Sequence, residues 1–474
     1  MGEAGTEDYT ETFYTMSLLR TVGKGVAWTV VGTVVNKVLV LANVLIILNH
    51  LTVFNYGVAE LVFSMASMAS IILLPGLTAT IAADMGVERG RGNTARMKAL
   101  FLQYVLLVSG LALIAFSLLY FGSAVVAAFS GNASIQSYIQ IVAWTLLISP
   151  LRSVSQMLAN VHGRFVDQAL YSTFEEVAKT VTLVLFFFVF GMGVEGLLYS
   201  VVASQIVAVV LFIPRTISGY WYFGSATAEK QYRFWQLLGS HRKWSILAGY
   251  VGNITQNLQL WIIKFFLGTE AVGLFAFALG IYSNVSSLLP FSSVFASLAP
   301  RYIEKKQQFI GLIRSSVKAQ FLSALVLIVA TFVGLPILMI ILPKYLPAMS
   351  LTLVLIFAII PTATTAVFTP TFAILKEQFS FFLTMLVKLL LTVTVMPLSI
   401  MAFGIMGIGV GSLIINTSSG FERYLRLRSK LSGFSLSLRD VVVPTAYQYS
   451  VLRTLGSGIF SRTGLSKLVE RTEA

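Results

Sequence analysis

Runs of about 20 mostly apolar residues recur along this chain, separated by short polar stretches. A helix of that length just covers the hydrocarbon of a bilayer, where every backbone polar group has to be satisfied within the element itself. The class this implies is an all-α polytopic membrane protein. Hydrophobic residues make up 57% of the chain and charged ones 11%, which excludes a soluble globular domain. With no cysteine, disulfides, thiolate metal sites and cysteine nucleophiles drop out, and the three histidines, His50, His162 and His241, leave little for a metal centre. No catalytic residue, cofactor or metal is expected. The N-terminus carries Glu3, Glu7, Asp8 and Glu11 where a cleavable signal would have a basic start.

The charges divide the connections into two kinds. Basic connections follow the even-numbered spans: Arg89, Arg91, Arg96 and Lys98 after the second, Arg164 after the fourth, Arg215 after the sixth. The pattern continues with Arg301, Lys305 and Lys306, then Lys376, then Arg423, Arg426, Arg428 and Lys430. The other connections hold at most Lys344 or Glu270. By the positive-inside rule this gives about twelve spans with both ends cytoplasmic, in a cell membrane. The net charge of +14 is then a property of cytoplasmic loops, and no nucleic acid partner is implied. Residues 1–18 read as a tail, 19–217 as a six-helix bundle, 218–243 as an amphipathic cytoplasmic linker, 244–430 as a second six-helix bundle and 431–474 as a basic tail.

The two bundles read as one half written twice. The break in Lys264-Phe-Phe-Leu-Gly-Thr-Glu-Ala-Val-Gly-Leu-Phe275 echoes Asn49-His-Leu-Thr-Val-Phe-Asn-Tyr-Gly57, with Ile46-Ile47 on Ile262-Ile263, Leu51 on Leu267 and Gly57 on Gly273. Further on, Leu74-Pro75 nearly meets Leu289-Pro290, and Phe190-Gly-Met-Gly-Val-Glu-Gly196 recurs as Phe403-Gly-Ile-Met-Gly-Ile-Gly409.

Charged and amide side chains inside the spans are the informative ones, because each costs about 2.5–3.5 kcal/mol at mid-membrane and should face protein or water. In the first span Thr29, Asn36 and Asn43 recur at heptad spacing beside Thr33, with Lys37 one step round. In the seventh span Asn253, Asn257 and Lys264 share a face with Gln256 next to it, and the repeat sets Lys37 opposite Asn253. Spans five and eleven match through Glu176-Val-Ala-Lys179 and Met385-Leu-Val-Lys388. Glu175 and Glu176 are placed to neutralise Lys179, whereas Lys388 has no acid within reach on its own helix. Glu60, Glu195 and Glu270 fall at outer helix ends, so the inner surface is expected to be cationic and to favour an anionic substrate. Pro336, Pro361 and Pro370 predict bent or broken helices in the second half.

Several motifs together resemble the polysaccharide flippases, the Wzx-like branch of the exporter superfamily that also holds the multidrug and toxin extruders and the lipid II flippases. They are Gly25-Val-Ala-Trp28, Tyr56-Gly-Val-Ala-Glu-Leu61, Leu267-Gly-Thr-Glu-Ala-Val-Gly-Leu-Phe275 and Gly404-Ile-Met-Gly407. Where that family carries a basic residue and Leu-Gly-Pro, this chain has Leu48-Asn-His-Leu-Thr-Val-Phe-Asn55, with His50 the nearest substitute. The resemblance implies two six-helix bundles around a cavity that pass an isoprenoid-pyrophosphate-linked glycan from the cytoplasmic to the outer leaflet by rocking. Lys37, Lys264 and Lys388, with Lys179, would hold the pyrophosphate, and Asn36, Asn43, Asn253, Gln256 and Asn257 would meet sugar hydroxyls, leaving the lipid tail in the membrane. Implied partners are that lipid-linked glycan, membrane lipids, and glycan polymerase or glycosyltransferase machinery. Two rivals are a multidrug cation antiporter on the same fold, which wants a buried carboxylate, and an integral membrane glycosyltransferase or polymerase, which wants acids or histidines in sizeable outer loops.

Overall fold

The structure is a computed structural model that describes residues 35–74, 77–162, 164–224, 242–289, 295–296 and 299–437. The tail 1–18, most of the linker, the chain beyond 437, Gly25 to Thr33, Pro75 and Pro290 lie outside the described residues.

All regular structure among the described residues is helical, as continuous apolar sequence in hydrocarbon requires. The first half holds α1 (Val35–His50), α2 (Val53–Ser70), α3 (Leu77–Gly90), α4 (Thr94–Ser130), α5 (Ser134–Val161), α6 (Phe165–Val184) and α7 (Val194–Trp221). The second holds α8 (Arg242–Leu267), α9 (Thr269–Ser286), α10 (Lys306–Ile341), α11 (Ala348–Ile356), α12 (Ile359–Ile374), α13 (Gln378–Phe403) and α14 (Met406–Lys430). Six helices are by themselves long and apolar enough to cross a membrane, seven if the bent pair α11–α12 is one span. Counting all fourteen helices of the described residues, with α2–α3 and α11–α12 each taken as one pass, gives about twelve passes.

Helix breaks occur in both halves. After α2 a short turn of 3-10 helix ends at Leu74, whose φ of 54° stops it before α3. The fifth span relaxes into a wide turn over Leu185–Val189. In the second half α11 and α12 meet at 43° just before Pro361, as that proline predicts, whereas Pro370 and Pro336 sit inside unbroken α12 and α10. A single proline removes one backbone bond, and continuous apolar flanks hold the helix on either side of it.

Packing repeats as the sequence does. In the first half α4 packs on α5, α5 on α7, α6 on α7 and α2 on α5. In the second, α10 packs on α12, α12 and α11 on α14, α13 on α14 and α9 on α11. The halves join where α2 lies against α9 and α8. At that seam Gly57 abuts the carbonyl of Thr269, and Gly273 abuts the carbonyl of Val53, so a Cβ on either would collide with backbone. The two glycines the repeat aligns thus face each other across its pseudo-twofold.

The basic connections gather on one face. There Arg91 and Arg96 reach Glu88 at 3.0 and 3.6 Å, Arg215 reaches Asp167 at 3.5 Å and Lys430 reaches Glu377 at 3.0 Å. On the opposite face Lys344, in the turn between α10 and α11, donates to the carbonyls of Asn49 and Leu51 at 2.9 and 2.6 Å. Partial burial there pushes its ammonium pKa below the usual lysine value. His50 stacks on Phe187 with ring centroids 4.2 Å apart, and its Nε2 lies 3.2 Å from the Met192 carbonyl. Its observed role is to tie the end of α1 to the turn before α7.

Candidate functional site

Each half has a polar cluster inside its helices, and the two differ in charge. In the first half α1, α2, α5 and α6 bring together Asn43, Glu60, Arg152, Glu175, Glu176, Lys179 and Thr180. Asn43, 1% exposed, donates to the Glu176 carboxylate at 2.9 Å and accepts from Thr180 at 2.7 Å. Arg152 pairs with Glu175 at 3.1 Å. Glu60 lies two turns into α2, about 10 Å from its start, facing the Tyr56 hydroxyl and the Lys179 ammonium. It is enclosed by protein, which corrects the expectation of an easily solvated helix end. The reason is position: α2 is the helix against which both α5 and the other half pack. Glu195 and Glu270 are exposed, as expected. Every cation of this cluster therefore has an acid beside it.

In the second half α13 and α14 bring Lys388 beside Arg423. Arg423 is 8% exposed, its guanidinium 5.7 Å from the Phe381 ring centre and one nitrogen 3.6 Å from the Met385 sulfur, while its Nε has no partner. Glu422, the acid next in sequence, is ion-paired to Arg426, and its charge also acts on Arg423. Met385 also approaches Gly252 of α8, so three helices converge here. Two like charges, the half-buried Lys388 and the buried Arg423, thus lie side by side, with the Glu422 carboxylate acting on Arg423 from the next position.

Sequence reasoning counts Arg423 among the terminal basic residues and misses it as part of the interior. The signal is its register. Ser412, Ile415, Ser419, Arg423 and Leu427 all lie on the buried face of α14, from which Arg426, Arg428 and Lys430 fall away.

The remaining residues singled out from the sequence lie along the seam between the halves. Lys37, exposed, donates to Ser287 at 2.8 Å. Asn253 and Asn257 donate to Ser67 at 3.2 and 3.1 Å, and Trp261 donates to Ser64 at 2.9 Å. Lys264 donates to the Ser130 carbonyl and lies 5.1 Å from the centre of the Trp261 ring. Gln256 is exposed, and Asn36 is half-buried with its Oδ1 unpartnered. The structure thus brings Asn43 and Lys179 together in the first half, puts Lys388 in the second, and strings Lys37, Asn253, Asn257 and Lys264 between them.

A family profile described as polysaccharide biosynthesis protein matches residues 22–301. No curated protein matches the sequence. Among solved structures, a multidrug resistance MATE family transporter of the MOP superfamily in an inward-facing conformation superposes with a TM-score of 0.69 at 14% identity, over 84% of this chain and 95% of that one. A MOP superfamily transporter from Pyrococcus furiosus, whose binding pocket is described as having reverse polarity, gives 0.62 at 15% identity over 88% and 96%. A mutant Vibrio cholerae MATE transporter gives 0.60 at 15% identity over 88% and 98%. At these identities the likeness establishes the fold, a multi-pass membrane transporter fold.

Proposed function

The chain belongs to the polysaccharide biosynthesis protein family, and from that premise we propose that it is a flippase moving an isoprenoid-pyrophosphate-linked glycan across the cytoplasmic membrane, with no chemical step. The observation that carries this reading is the adjacent pair of half-buried Lys388 and buried Arg423, two cations whose neighbouring acid, Glu422, is ion-paired to Arg426. A pyrophosphate is a multivalent anion that must leave water to cross, and charge-assisted bonds from two such cations offset that loss. In this reading the basic face is cytoplasmic, and the amides of α8 and α1 meet glycan hydroxyls as the halves part. Alternating access then requires the Gly57–Gly273 seam and the Lys344 contact to open.

A second reading, exchange of an organic cation for protons or sodium, has one observation in its favour: the enclosed carboxylates Glu60 and Glu176 of the first half. Thermal stabilisation of the purified protein separates the two, since a ligand of the folded state raises stability with concentration. Stabilisation by a polyprenyl-pyrophosphate sugar, lost in Arg423→Ala and Lys388→Ala, is the expected result. Stabilisation by organic cations alone, unaffected by those substitutions, would favour the antiporter.

A further inference from the structure

A polar pocket opens on the basic face of the first half, between the end of α5, the start of α6 and the end of α7. Arg164, Arg215, Tyr171, Ser155 and Thr216 all line it. Most of these side chains are already held. Arg215 is folded back over the Phe212 ring, 4.9 Å from its centre, and meets Asp167 at 3.5 Å. Ser155 and Thr216 bond to each other at 2.8 Å and turn back to the carbonyls of Leu151 and Phe212. Arg164 donates to the Ser218 hydroxyl at 3.1 Å and is in no ion pair among the described residues.

Tyr171 differs from the rest. Its ring packs against Phe212 with centroids 5.0 Å apart, and only 2% of the residue is exposed. Its hydroxyl has no hydrogen-bond partner, which is costly for a buried donor. The enclosed part of the pocket is about 20 Å³, room for one water-sized group. Glu175, the acid whose charge reaches Tyr171, is itself paired with Arg152.

The same pocket lies at the N-terminus of α6, where Arg164 is the capping residue and gives the first turn no side-chain bond. Free backbone N–H groups and the helix dipole favour an anion at such an end. Asp167 in that first turn meets part of the demand, but Arg215 neutralises Asp167. Arg164, the helix end and the Tyr171 hydroxyl are left over. Around the mouth the surface is apolar, with Val166 of α6 and Ile213 and Ile217 of α7 exposed on either side of the arginines.

We propose that this pocket binds a phosphate group presented by an anionic phospholipid at the basic face, with Arg164 and Arg215 on its charged oxygens and one oxygen reaching the Tyr171 hydroxyl. Guanidinium groups select a charged phosphate, and the apolar rim favours a lipid over a free phosphate as its source. The lipid is a resident of the first half and is not the transported substrate, so the site stands apart from Lys388 and Arg423 and does not rest on the flippase reading.

The test follows thermal unfolding of the full-length protein in neutral detergent micelles while phosphatidylglycerol, phosphatidylcholine or inorganic phosphate is titrated. Phosphatidylglycerol is expected to stabilise, with a midpoint raised about fivefold or more in Arg164→Gln and about threefold in Tyr171→Phe, and phosphatidylcholine to do little. Tyr171→Phe removes a hydroxyl that has no protein partner, so without lipid it should melt no lower than the parent, which separates lost binding from lost folding. Stabilisation by inorganic phosphate with the same sensitivity to both substitutions would support the site and make free phosphate its source; no response to inorganic phosphate would support the lipid. Equal responses to phosphatidylglycerol and phosphatidylcholine, or a phosphatidylglycerol response untouched by both substitutions, would overturn the site and leave the pocket a place for one buried water. Binding of a polyprenyl-pyrophosphate sugar is expected to be unchanged in both variants, and a parallel loss of it would overturn the assignment by putting the pocket on the transport path.

Discussion

Lys179 and Lys388 occupy matching places in the two halves of one repeat, and they live in opposite electrostatic surroundings. Around Lys179 the first half supplies Glu60, Glu175 and Glu176, with Arg152 and Asn43 completing a network that is closed upon itself. Beside Lys388 the second half supplies another cation, Arg423, whose own neighbours are the Met385 thioether, the Phe381 ring and the charge of Glu422. The change can be located to single positions, because Met385 stands where the first half has Glu176. Duplication fixes backbone geometry, but the charge of an interior is set by a few side chains, so two copies of one bundle can hold an acid-rich network in one half and adjacent cations in the other. The seam teaches the reverse. Gly57 and Gly273 face each other's backbone in the same way, since close approach leaves no room for the copies to diverge.

The largest effect is expected from removing the adjacent cations. Arg423→Ala with Lys388→Ala should weaken binding of a polyprenyl-pyrophosphate sugar by about 100-fold or more, taking about 1.5–3 kcal/mol for each hydrogen bond to a charged group. The apo protein should lose no thermal stability and could gain some, because two adjacent like charges disappear. Lys179→Ala should do the opposite to stability and lower it, since Glu60 then lacks its cation; equal responses from the two lysines would end the contrast.

Met385→Glu makes the second half resemble the first. It should raise the melting temperature of the apo protein and cut anion binding at least tenfold, both readable in one thermal-shift series. If anion binding survives, charge compensation is not what separates the halves.

Gly57→Ala and Gly273→Ala test the likeness. Each should cost about 1–3 kcal/mol by overpacking, and the two costs should agree closely in denaturation measurements. A large inequality would show that the seam is not symmetric in energy.

The smallest effect concerns pH. Glu377 is partly desolvated, which raises its carboxyl pKa, but hydrogen bonds from Lys430 and Ser380 and the Lys430 charge outweigh this and hold it below the usual carboxylate value. A depressed carboxyl contributes stability that is present above its unfolded pKa and lost as pH falls through the folded one. The tie between the start of α13 and the end of α14 should therefore weaken on acidification below the ordinary carboxylate range. In Glu377→Gln that acid-dependent component should vanish from the melting curve, with little change at neutral pH because the pair is partly solvated.

What the sequence by itself determined is the class, the passes and the repeat. Continuous apolar runs leave the backbone only one way to satisfy its hydrogen bonds in hydrocarbon, and the echo of Gly57 in Gly273 already marked the pseudo-twofold. Lys388 was legible for the same reason, as a charge too deep to leave uncompensated and with no acid on its helix. Tertiary structure alone decided which helices share an interior. Arg423 looks like one more member of a basic run until α14 is seen to turn it inward against Met385, and Glu60 looks like a solvated helix end until α2 is placed at the centre of the packing. The pairing of Lys37 with Ser287 joins residues 250 positions apart on different halves. Burial along one helix can be read from its period, but which neighbour supplies the opposing charge depends on helices far away in sequence, and no local pattern encodes that.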